Sequence, residues 1–137
     1  MAVKEHYDLL IRDVDAWNQW RAENPKVQPD LSYAVMRGAN LTLANLAGAI
    51  LREADLVLAN LRGADLRHAD LSGANFVGAR LLGVDLTHAN VCGADLSTAE
   101  DLTDEQLRHT RGDAQTKLPE EFRAPENWVK KGRGAAR

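Results

Sequence analysis

The sequence predicts an all-β solenoid, a coil of short extended segments with a corner after each one, and three observations predict it. An apolar residue recurs at every fifth position from Leu31 to Leu96, fourteen times without a missed step. Alanine stands two residues before twelve of these centres, with Pro29 and Val84 as the exceptions. Asp or Asn stands just before eleven of them, and glycine two residues after seven. A helix cannot use such a period, because about 3.6 residues per turn would scatter the centres around the cylinder. Extended backbone alternates sides, so alanine and centre point the same way and the next two residues turn the corner. Glycine suits a corner that needs positive φ. The large centres fill the interior while the alanines let neighbouring walls approach. Ala64, Leu66, Leu71 and Phe76 belong to this core, and a bulky residue at Ala64 would overpack it at about 1–3 kcal/mol.

The run, as in "GADLRHADLSGANF", resembles the pentapeptide-repeat family, A(D/N)LXX, over residues 29–98. The resemblance implies a right-handed quadrilateral parallel β-helix with four pentapeptides, or twenty residues, per coil. Fourteen repeats then make about 3.5 coils, and at about 4.8 Å between stacked strands the solenoid is roughly 17 Å long.

A solenoid exposes an apolar cross-section at each end and needs capping elements. Residues 3–23 carry Tyr7, Leu10, Val14 and Trp17 at helical spacing, and Asn24-Pro25 ends that helix. It reads as an N-terminal lid with Trp17 or Trp20 packed on the first coil. At the other end Thr103 and Gln106 form a capping-box pattern that opens a short helix through about His109. Leu118, Phe122 and Trp128 supply further covering residues, and the closing KKGRGAAR reads as mobile. The expected organisation is a capping helix in residues 1–27, the β-helix in 28–100 and a C-terminal capping helix and tail in 101–137. The flanking segments also look like those of short bacterial pentapeptide-repeat proteins, from which a complete bacterial unit is expected.

Composition bounds the function classes. Seventeen basic and twenty acidic residues give a formal charge of −3, too balanced for a nucleic-acid surface. The lone Cys92 excludes a disulfide framework. The N-terminus lacks signal-peptide character, and no apolar run approaches the length of a membrane span. A cytoplasmic protein that contacts neither membrane nor nucleic acid directly is expected.

The catalytic inventory is poor. Ser32, Ser72 and Ser97 lie on the walls without a histidine–carboxylate motif, and the glycines follow the repeat rather than a phosphate loop. No enzyme activity, cofactor or metal is expected. His68 and His88, twenty residues apart, stack on one face with Asp65 and Asp85. That is a conceivable metal pair, but the sequence favours a corner that tolerates histidine, since structural zinc takes four ligands.

The walls separate by the twenty-residue period. The one centred on Leu31, Leu51, Leu71 and Val91 carries Asp30, Glu53 and Asp70 against Arg52. The one centred on Met36, Leu56, Phe76 and Leu96 points Val35, Val57, Leu58 and Val77 outward. Such clustering marks either a partner site or a surface covered by the protein's own tail, and residues 111–128 are expected to cover it in part. The third, centred on Leu41, Leu61 and Leu81, carries Arg62 and Arg80 without an acid. A non-catalytic interaction or scaffold module with a protein partner is expected, monomeric before dimeric. The alternative, implied by the family's best-known activity, is a DNA mimic that inhibits or protects DNA gyrase or another topoisomerase. Eight acids against five arginines over residues 30–100 make a weak polyanion for that role.

Overall fold

The computed structural model describes residues 1–128; the expectation for KKGRGAAR lies outside the described residues. From Asp30 to Glu100 the chain returns to register every twenty residues. Eleven parallel bridges join residue i to i+20, from Asp30 to Ile50 through to Arg80 to Glu100. Each bridge is one residue long, because the chain turns directly after the centre. The Ala34 N–H donates to the Leu31 carbonyl at 3.1 Å, and the equivalent bond closes all fourteen corners, ending with Ala99 to Leu96. Positive φ at the third turn residue, as at Tyr33 (62°), marks a type II turn. Four such turns per coil give the solenoid four walls.

Thirteen of the fourteen third positions have positive φ, and six of those are not glycine. The conformation therefore tolerates side chains, and at some corners glycine has a second cause. A Cβ at Gly63 would stand 2.7 Å from Leu43 Cδ2, and one at Gly78 would stand 2.6 Å from Leu58 Cδ2. A large corner residue in one coil leans over the glycine of the next.

The interior holds all fourteen centres, none more than 2% exposed, including Leu66, Leu71 and Phe76. Ala64 is 1% exposed, as the inward assignment requires. Between coils the Leu66 N–H donates to the Asp85 carbonyl at 2.9 Å and the Asp85 N–H to the Ala64 carbonyl at 3.2 Å. The backbone is thus pinned on both sides of each centre.

The N-terminal end differs from the single helix expected over residues 3–23. Two helices form, α1 (Lys4–Arg12) and α2 (Val14–Glu23). Asp13 between them is extended, and its carboxylate accepts the N–H groups of Asp15 and Ala16. An N-cap inside the apolar periodicity restarts the helix. Leu10 and Trp17 are fully buried in the core cluster. The first coil's outward backbone groups find partners in this segment. Val3 N–H donates to Asp30 O, Trp17 Nε1 to Asn45 O, Arg21 Nη2 to Ala47 O and Gln28 Nε2 to Gly48 O. The lid therefore satisfies edge hydrogen bonds as well as covering apolar surface.

At the other end α3 (Asp104–Arg108) carries the expected Thr103–Gln106 capping box. The tail then continues the ladder out of period. Arg111 bridges Asn90 and Lys117 bridges Asp95, spacings of 21 and 22 residues. Gly112 follows Arg111 where a large centre would stand. A side chain there would meet the Trp128 ring at 2.6 Å, so the indole occupies the missing centre's place. Trp128 is 1% exposed, and its Nε1 donates to the Thr110 carbonyl at 3.0 Å. Leu118 and Phe122 pack partly buried beside the core.

Candidate functional site

The outward residue before each centre has a structural task. In all eleven Asp and Asn positions Oδ1 accepts the N–H two residues on, at 3.0–3.2 Å. Only an acceptor is needed, so Asp and Asn interchange. The hydroxyls of Ser32, Ser72 and Ser97 donate to the same oxygens of Asp30, Asp70 and Asp95. These Ser–Asp pairs belong to turn geometry. The carboxylates are held below their ordinary range: Asp85 by the Thr87 hydroxyl and then the Thr87 amide, Asp65 by the Arg67 guanidinium, and Asp30 by the Ser32 amide.

Arginines sit beside most of these acids. Arg37 reaches Asp55 at 2.6 Å, Arg52 reaches Asp70 at 2.9 Å, and Arg67 lies 2.7 Å from Asp65 and 3.9 Å from Asp85. The third wall does carry an acid, contrary to expectation. Glu100 pairs with Arg80 at 3.8 Å, because the ladder extends one step past the last centre of that wall. His68 and His88 stack with ring centroids 5.0 Å apart and 29° between planes. Among the described residues no group of three His, Cys, Asp or Glu is placed to hold a metal ion.

The apolar wall places Val35 and Leu58 in solvent, 60% and 66% exposed, with Val57 and Val77 half-buried. The tail leaves Val35 and Leu58 exposed and meets this wall only at its end, where Lys117 bridges Asp95. Residues 109–117 pair with the edge of the last coil, through His109, Arg111 and Lys117. Unpaired edge backbone is a stronger attractor than a few valines, and the edge lies directly where the chain leaves the solenoid. Within the solenoid three large exposed apolar residues escaped the sequence reading: Tyr33, Leu43 and Leu82, the last two on or bordering the third wall. Their signal was available, since each interrupts a run of polar residues or glycine at a corner or wall position. No helix among the described residues is long and apolar enough to cross a membrane.

A four-turn coil with interior alanine and leucine columns and Asx-closed corners defines a pentapeptide-repeat solenoid. The family model for pentapeptide repeats matches in eight copies over residues 30–63 and 59–97. The chain is similar to the crystal structure of the pentapeptide-repeat protein Rfr23 from the cyanobacterium Cyanothece 51142. That likeness has 33% identity and a TM-score of 0.54, covering 68% of this chain and 67% of Rfr23. The chain belongs to the pentapeptide-repeat family. A pentapeptide-repeat protein of the Arabidopsis thaliana thylakoid lumen is 31% identical over 69% of this chain and 68% of its own, with a TM-score of 0.30. The plasmid-mediated fluoroquinolone resistance protein QnrB1 is 19% identical over 68% of this chain and 52% of its own, with a TM-score of 0.42. This chain thus spans about half of QnrB1. Among curated proteins no sequence matches.

Proposed function

We propose that the protein is a non-catalytic interaction module that binds a protein partner through the wall of Val35, Val57, Leu58 and Val77. The observation that carries this reading is the exposure of Val35 and Leu58 on a rigid wall that the tail leaves open. A preformed wall loses little conformational freedom on binding. Size limits the mode. Four coils at about 4.8 Å and a side about 10 Å wide give only ~200 Å², well below the ~800 Å² per partner of a stable interface. The partner therefore binds transiently or wraps the Leu58 corner onto the third wall, where Leu82 and Leu43 extend the apolar surface. The fold in this reading is the right-handed quadrilateral β-helix, supported by four turns per twenty residues and the likeness to Rfr23.

Affinity purification from the native host tests the proposal, with the wild-type chain and Val57→Glu/Val77→Glu as baits and Arg52→Glu, on the wall centred on Leu51, as a control. A partner lost only by the double variant supports it, and identical captures contradict it. Gyrase mimicry is the weaker alternative, because a DNA-like surface needs unneutralised negative charge and here Asp55, Asp65 and Asp70 each face an arginine.

A further inference from the structure

Two of the molecule's four histidines have evident structural work. His6 Nδ1 accepts the Asp30 N–H, and His109 lies 3.5 Å from Glu105. The other two, His68 and His88, stand together with no hydrogen bond or ion pair from either ring among the described residues. Both are exposed, so their ring nitrogens are open to solvent. Both occupy the third turn position in matching conformation, φ 61° and 60°, which sets their Cα–Cβ bonds nearly parallel one coil apart. The His68 N–H to Thr87 carbonyl bond, 3.0 Å, and the Asp65–Asp85 bridge fix that spacing. Around them Asp65 and Asp85 face Arg67, and Arg108, His109 and Arg111 line the cleft on the far side of His88, so the pair's preparation for a cation lies in its geometry rather than in net charge.

From this juxtaposition we propose that His68 and His88 form a two-imidazole surface site for a divalent transition-metal ion, with copper(II) bound most tightly. Imidazole is a preferred ligand of copper, nickel and zinc, and affinity rises to copper along that series. Stacked rings turn about their side-chain torsions to aim one lone pair each at a shared ion, and water completes the coordination. The backbone ladder holds the two ligands one coil apart before the ion arrives, so the second imidazole binds without closing a loop. Zinc binds more weakly, because two protein ligands fall short of its usual set.

Copper(II) titration of the full chain, followed by calorimetry and electron paramagnetic resonance, tests the site. The wild type is expected to bind one ion with a two-imidazole spectrum. His68→Ala and His88→Ala should each weaken that binding at least about tenfold, while His109→Ala leaves it unchanged. Less than about twofold weakening by either substitution, or an equal loss in His109→Ala, would overturn the proposal. Circular dichroism of each variant identifies any loss caused by unfolding, and His68→Gln with His88→Gln repeats the test with bulk retained at both corners.

Discussion

Residues 64 and 57 belong to repeats two steps apart, centred on Leu66 and Leu56, yet they answer to different constraints. Ala64 is 1% exposed between two pinned coils, whereas Val57 is half-buried on a wall whose neighbour Leu58 is 66% exposed. Interior positions repeat because every coil must close on the same column. Wall positions vary because the ladder uses only their backbone and, at Asp and Asn, one acceptor oxygen. The fold is therefore written in the interior and the ends, and the function in whatever the wall adds beyond its structural minimum.

The largest expected effects lie at the ends, where one side chain closes a whole cross-section. Trp17→Ala and Trp128→Ala should each lower stability in urea by about 3–5 kcal/mol, the range for a buried tryptophan. If Trp128→Ala unfolded like a surface variant, the assignment of its ring to the place above Gly112 would fail. Ala64→Leu comes next, at about 1–3 kcal/mol. An unchanged urea midpoint there would contradict the packed interior column.

The periodicity alone revealed the coil and the inward alanines, because a repeat imposes one solution on every copy, whereas the twenty-residue return was what the family resemblance implied. The ends carry no repeat, and there the sequence showed the Thr103–Gln106 capping box but misled on the N-terminal lid, which is two helices rather than one, and on the course of the tail. Asp13 stands within a helical apolar pattern, and its role as a cap depends on where the chain must bend over the first coil. The tail's docking on the last coil follows from unpaired edge backbone, which composition does not display. On the walls, pairs such as Leu58 with Gly78 are legible only after the register is known. The apolar wall residues themselves were legible, but their exposure depended on the course of the tail.

Smaller effects separate the structural wall from the functional one. Asp85→Ala removes the acceptor of the Thr87 amide and should cost about 1 kcal/mol, whereas Asp85→Asn should cost much less. The depressed carboxylates of Asp30, Asp65 and Asp85 give the same corners a pH signature. Because their folded values lie below the unfolded value of about 3.9, the unfolded chain takes up protons first on acidification. Their stabilisation is complete above that value and is lost as pH falls through the folded ones. The urea midpoint should hold from about pH 7 to 5 and decline below about pH 4; a rise in that lower range would reverse the assigned sign.

The wall variant Val57→Glu/Val77→Glu tests the central claim most directly, since it separates the two kinds of position in one molecule. With the tail docked on the last coil, both new carboxylates stay at the solvent boundary, and stability should change by less than about 0.5 kcal/mol. Measured in parallel against the partner captured by the wild-type chain, the same variant should lose binding at least about tenfold. Unaltered binding in a folded variant would contradict the account and return this wall to ordinary surface.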